Sequence, residues 1–525
     1  MADLERLSPD KLDEALGLKP KYDIPPGARR ALLRVGVIGA GEGGLPPFAL
    51  AHQDPSLVRA TLAGNSGKLV SRWGHVLLRR ALASRLDAPD GLDPADFAAL
   101  RAALLLRMGE GDAARALVQD VDPAGYSPLL VDAALDAYVA TADVTGFCPV
   151  QQQWPALRKD GEWQVLKAMC ATFVGNASAG FAQLDRLTYQ GAMPKVDMLL
   201  AQKYAGAAGK GRRAVTIEWT GVDGMTPFRY ALAIATGLTP PADLLQPTGG
   251  AFDPATALAP MVPLALRADA ADRAGGMGIL SSAAMVDLYS QIYADDGITG
   301  GGADRALLLR DAYVGATPDD RLKAMRRLWD GAADPLQRWS RMTLCAYAAA
   351  RMPVGSATGQ DAADLIAAML SAGLDANAMR WQGAVEPGSE AWALLALAAP
   401  GGRVLVDGGA LSSFRGDDKS EKSHRTAMLL AGLAGLGRIS DSVRDDLADK
   451  LEVPLDGNGR WVRAIDQAAE VGNPALVALL AGLGMQGSGW DRMTARHLYH
   501  IVAALNRVGL QAEARMIAAE AVARG

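Results

Sequence analysis

Apolar residues return every three or four positions along most of this chain, and glycines punctuate the runs. That period puts them on one face of an α-helix, whereas a half-buried strand alternates with a period of two. "LVSRWGHVLLRRALASRL" sets Leu69, Trp73, Val76, Leu77 and Ala81 on one stripe, and "DPADFAALRAALLLRMGEGDAARALVQDV" reads as two helices broken at Gly109-Glu110-Gly111. Further pairs follow: "AAMVDLYSQIYADD" with "ADRALLLRDAYVG", "DRLKAMRRLWDG" with "PLQRWSRMTLCAYAAARM", and finally "DRMTARHLYHIVAALNRVGL" with "QAEARMIAAEAVARG". Half of the residues are apolar, chiefly Ala and Leu, and aromatics make up only 6%. Such a mixture favours close-packed helices over a β-sandwich, which would need many Val, Ile, Tyr and Thr. The expected fold is all-α: a solenoid or superhelix of antiparallel helical hairpins running through the 525 residues.

Three of the turns share a spacing. Gly109 precedes Ala114 and Arg115, Gly373 precedes Ala378 and Met379, and Gly509 precedes Ala514 and Arg515. Glycine supplies a left-handed cap at the end of one helix, and the small alanine lets the next helix approach closely. This turn resembles the centre of a tetratricopeptide repeat, where a turn glycine precedes the second-helix alanine by the same interval. The resemblance covers those three hairpins; the usual Trp, Leu-Gly and Tyr positions are irregular, and no fixed period fits. In composition the chain is also similar to Ala- and Arg-rich helical proteins of high-GC bacteria, a likeness that implies no activity.

Two stretches interrupt the helices. "GRRAVTIEWTGVDGMTP" has one short extended run, Ala214 to Trp219, before Thr226-Pro227 starts the next helix. The Pro- and Gly-rich segment 241–262 divides the chain into an N-terminal arc, 1–240, and a C-terminal arc, 263–525. "DDGITGGGAD" (295–304) reads as a flexible loop and "RGDDKSEKSHR" (415–425) as a solvated charge run.

Net charge is −5, with both signs interspersed and no broad basic stripe, so nucleic acid is not an expected partner. No run of apolar residues is long enough to cross a membrane, and "MADLERLSPDKLDEALGL" is not a signal peptide as written. A cytoplasmic location is therefore expected, or a periplasmic one if Met1 replaces a removed leader. The three cysteines lack zinc-site spacing. Cys148 and Cys170 stand 22 residues apart, where a disulfide would staple a hairpin and imply an oxidising compartment. Buried free thiols are the commoner state in a cytosolic chain, so both states stay open.

Each motif with chemical overtones lacks an essential part. Gly39, Gly41 and Gly44 match a dinucleotide fingerprint, but Pro46, Pro47 and Pro55 limit the helix that should follow, and no acid ends a second strand about 20 residues on. "GAAGKG" lacks the first glycine and the hydroxyl of a phosphate loop. Asp445, Asp446 and Asp449 spell D-D-x-x-D with no second acidic helix to complete a magnesium site; a solvated helix face explains them. His497 and His500 could share a metal but have no third ligand nearby in sequence. No residue is assigned a catalytic, cofactor or metal role, and no cofactor is expected.

A solenoid exposes a long concave surface suited to peptides and proteins. The expected function is a non-enzymatic scaffold or adaptor with a protein or peptide partner. An enzyme on a closed helical toroid, or a subunit of an envelope or secretion assembly, is the alternative. Trp219 beside Arg212 and Arg213 is the candidate partner contact, because Trp and Arg dominate interface hot spots.

Overall fold

Helix starts follow a two-residue phrase, a short polar residue and then proline. Asp54-Pro55, Asp93-Pro94, Ser127-Pro128, Thr226-Pro227, Thr317-Pro318, Asp334-Pro335 and Asn473-Pro474 each begin a helix. In every case the polar side chain accepts a first-turn N–H, and proline sits where no N–H is needed. The computed structural model describes residues 32–208, 215–402, 404 and 406–525. Over these the chain is an all-α solenoid of antiparallel helical hairpins. A small ribbon, Arg34–Val35 antiparallel to Leu86–Asp87, lies near the first of them.

The three spaced turns close alike. Gly109, Gly373 and Gly509 take φ of 81°, 78° and 84°, a left-handed conformation that suits glycine. The following N–H reaches back to the preceding helix: Glu110 to Leu105 O (2.9 Å), Leu374 to Met369 O (3.0 Å) and Leu510 to Leu505 O (2.9 Å). This is the Schellman pattern. Ala114, Ala378 and Ala514 are fully buried where the next helix meets its neighbours. A side chain at Gly276 would come 2.5 Å from Leu336 O, so glycine is what lets the helices Leu264–Met277 and Pro335–Leu344 touch backbone to backbone.

Several local expectations differ from the structure. The helix that follows Leu69 begins only at Arg72, capped by Ser71, and runs to Ala83. Its buried residues include His75, Leu77, Leu78, Ala81 and Leu82, while Trp73 and Val76 are half-buried. The single-stripe reading fails because this helix is covered on nearly all sides. Residues 301–304 belong to the helix Gly301–Val314, not to a loop. The connection 241–262 contains the short helices Ala242–Leu245 and Asp253–Leu258, and Tyr230 stacks on Phe252 within it. Residues 215–219 are irregular coil; Ala214 lies outside the described residues.

What covers the Arg72–Ala83 helix comes from the far part of the chain. It packs on the helices Pro474–Gly484 and Gln511–Arg524, so the solenoid closes on itself. Glu520, fully buried, caps the helix start from outside: it accepts Ser71 Oγ–H (2.7 Å), Arg72 N–H (2.9 Å) and Trp73 N–H (3.1 Å). Arg524 neutralises the same carboxylate at 2.6 Å. The Arg72 guanidinium donates to Gly275 O and Ser371 O, and Trp73 Nε1 to Leu370 O. Burial lowers the Arg72 pKa to about 10 against the pull of Glu520, so the group stays charged at neutral pH. Four stretches distant in sequence thus meet at one helix N-terminus.

Candidate functional site

The helix ends border a cavity of about 1700 Å³ that is open to solvent on one side. Small-molecule sites typically measure about 300–1,000 Å³, so this one can hold a longer ligand. Its wall is assembled from turns and helix ends: 67–70, 106–109, 248–254, 273–277, 334–336, 420–428, 451–453 and 487–495. Hairpin turns collect there because each helix pair presents its ends, not its packed flanks. Gly67, Gly109, Gly249, Gly250, Gly487 and Gly489 bring backbone to the wall, and the half-buried Met277 supplies adaptable apolar surface, whereas Met428 and Met493 behind the wall are buried. Charges of both signs line it: Lys68, Arg107, Lys422 and Arg492 with Glu421, Glu452 and Asp491 are exposed, and Arg273, Arg524 and Asp334 are half-buried.

The segment 418–426 is held by one carboxylate. Asp418 accepts the backbone N–H of Ser420 and Thr426 (2.9 Å each) and both their hydroxyls (2.6 Å each). Partial burial alone would push the Asp418 carboxyl up; the bonds from Ser420 and Thr426 outweigh it and hold the pKa below the ordinary value. His424 Nε2 meets Trp490 O at 3.0 Å, tying this segment to the 490–492 turn. Arg496 Nε donates to Pro454 O at 3.3 Å and ties the 451–455 segment to the same neighbourhood.

On another part of the wall, His75 is buried with Nε2 2.7 Å from Glu110 Oε1, and Arg79 Nη1 reaches the same oxygen at 2.8 Å. Arg79 also donates to the carbonyls of Gly278 and Ile279. This polar cluster joins the Arg72–Ala83 helix to two turns, and its groups satisfy one another.

The residues singled out in the sequence lie elsewhere. Trp219 is half-buried against the core and is not part of the cavity wall. Arg212 and Arg213 lie outside the described residues. Cys148 and Cys170 form a disulfide, with Cα atoms 5.4 Å apart, joining the helices Cys148–Gln153 and Gly161–Phe173. Gly39, Gly41 and Gly44 do not follow a parallel strand: Arg34–Val35 pairs antiparallel, and the Gly39 N–H already donates to Glu42 Oε2 at 2.8 Å. A phosphate there would meet the chain's own carboxylate. Asp445 pairs with Arg444 and Asp446 with Lys450 on an exposed face, over a buried Leu447. His497 bonds Thr494 Oγ1 and packs on Trp461, while His500 Nδ1 meets Asp466 at 3.0 Å, so the two rings engage different partners.

Sequence reading missed the cavity residues Lys422, Glu452 and Arg492. The run 415–425 reads as solvated, and only the distant contact of His424 with Trp490 ties it to the cavity wall. "GSGWDR", residues 487–492, carried the same aromatic-plus-arginine signal that drew attention to Trp219.

No family model and no curated protein sequence matches the chain. Among solved structures it is similar to the crystal structure of the pentatricopeptide repeat protein PPR10 from maize, with 12% identity and a TM-score of 0.24. That match covers 82% of this chain and 68% of the other. At that distance nothing about activity or partner follows.

Proposed function

We propose that this chain is a non-enzymatic scaffold that receives an extended polypeptide segment in its open cavity. The observation that carries the reading is the cavity itself: about 1700 Å³, walled by glycine backbone and by exposed charges of both signs. Exposed backbone groups suit the main chain of an extended peptide, and Met277 adds an adaptable apolar contact. A nucleic-acid backbone would call for a predominantly basic wall. The tetratricopeptide-like spacing at Gly109, Gly373 and Gly509 supports the same kind of partner. Trp219 with Arg212 and Arg213 is retained as a second contact point outside the cavity. The Cys148–Cys170 bridge supports work in an oxidising compartment. An enzyme with its site in the same cavity is the second reading, favoured by the buried pair His75–Glu110, of which His75 borders the cavity.

Photo-crosslinking tests this. A benzophenone amino acid replaces Ser488, exposed on the cavity wall, or Tyr189, 94% exposed and outside it. Polypeptide adducts in the native host that form from position 488 and not from 189 are the expected result. A small molecule captured at 488, with no polypeptide adduct, would sink the scaffold reading.

A further inference from the structure

The cavity wall holds a concentration of unusual backbone. Among the described residues other than glycine, positive φ occurs at Ala142, Lys422, Ser423 and Glu452. Lys422 (φ 52°, ψ 32°) and Ser423 (φ 55°, ψ 40°) precede the helix His424–Gly435, and Glu452 (φ 54°, ψ 36°) ends the helix Asp441–Leu451. Lys422 and Glu452 both line the cavity. Side chains other than glycine are strained in this region, and such strain gathers at binding sites because the surrounding fold must hold it. At helix C-termini comparable to that of Glu452, such as Gly109, Gly437 and Gly472, the same chain places glycine, and at Lys422 the left-handed backbone itself favours glycine. Stability alone therefore favours glycine at 422 and 452, and the charged side chains stand there against it.

Those side chains are exposed and form no ion pair among the described residues. The His424–Trp490 contact brings the Lys422 segment to the turn that carries Asp491 and Arg492. The Arg496–Pro454 bond ties the Glu452 segment to the first turn of the helix Ala495–Arg507, which follows that turn. Asp418 fixes the first segment through its four bonds, so Lys422 is presented from a rigid base.

We propose that Lys422 and Glu452 are a charge-reading pair, Lys422 taking a carboxylate and Glu452 an ammonium or guanidinium of one polypeptide segment that carries both signs. This rests on the scaffold reading and names its ligand class. The pair discriminates mainly by rejection: a segment with one sign of charge leaves one member desolvated and unpaired.

The test uses the full chain and four immobilised degenerate peptide pools: one containing both Lys and Glu, one acidic, one basic and one uncharged. The parent protein is expected to hold the mixed pool most tightly. Lys422→Gly and Glu452→Gly should each keep or raise the melting temperature while weakening mixed-pool binding about tenfold, the equivalent of one lost charge contact. Lys422→Gln, which keeps a side chain on the same backbone, should weaken binding without moving the melting temperature upward. A fall in melting temperature in both glycine variants would overturn the proposal, since the residues would then be structural. Unchanged mixed-pool affinity in all three variants, or equal binding of the uncharged pool, would overturn it as well. Failure of every pool to bind would instead strike the scaffold reading beneath it.

Discussion

Replacing Glu520 with alanine should loosen the closure of the whole chain. The carboxylate is almost fully buried and takes four donors: Ser71 Oγ–H, the N–H groups of Arg72 and Trp73, and Arg524. A hydrogen bond to a charged group contributes roughly 1.5–3 kcal/mol. Removing one partner of a buried pair costs about 3–5 kcal/mol, because the other charge is stranded. The contributions overlap, since all four donors share one carboxylate, and a loss of roughly 4 kcal/mol is the working figure. That is a large share of the about 5–15 kcal/mol that separates folded from unfolded domains. Glu520→Gln keeps an acceptor oxygen for part of the cap but loses the charge, and should cost about half as much. Urea titration followed by far-ultraviolet circular dichroism measures both variants. The midpoint should fall at an unchanged slope, in the order parent, Gln, Ala. An alanine variant within about 1 kcal/mol of the parent would refute the view that this cap fastens the fold.

Other outcomes follow from particular residues. Thiol titration of the denatured, unreduced protein should find one reactive cysteine, Cys345, not three, and reduction of the Cys148–Cys170 bridge should lower stability by about 3 kcal/mol for its 22-residue separation. Asp418→Asn should cost about 1 kcal/mol, the loop being partly open to solvent, and should weaken peptide binding through the displaced 420–424 segment. Because the Asp418 pKa is lowered on folding, its contribution is present above its ordinary value of 3.8 and is lost as pH falls through the depressed one; the stability difference between the parent and Asp418→Asn, followed from pH 7 downward, should persist and vanish only there. Proteolytic nicking in the exposed 295–300 loop should leave two fragments that still co-elute on gel filtration, since the Arg72–Ala83 helix is packed on the Gln511–Arg524 helix.

Local chemistry was legible in the sequence where neighbours along the chain decide it. The left-handed glycine followed five residues later by a buried alanine, at 109, 373 and 509, is settled within one turn of helix. Gly191, Gly437 and Gly472 close in the same way, but Val196, Ser442 and Val477 stand where the alanine would be, so the pattern passed over them. The Arg72–Ala83 helix was misread because its cover comes from residues 474–484 and 511–524, and periodicity records only how many faces are apolar, not what arrives to bury them. Its cap is likewise a glutamate some 450 positions away. The cavity wall was illegible for the same reason. Lys422 sits in a run that looks like any solvated charge cluster, and neither its backbone angle nor the Asp418 bonds beneath it have a signature in composition or spacing.

The most direct test of the scaffold reading is hydrogen–deuterium exchange of the full chain with and without the mixed-charge peptide pool. Peptide held in the cavity predicts slowed exchange at 67–70, 420–428, 451–453 and 487–495, with no change along the helices Ala177–Tyr189 and Lys195–Ala205. Protection confined to the stretch around Trp219, with the cavity segments unaltered, would contradict it and move the partner to the outer surface.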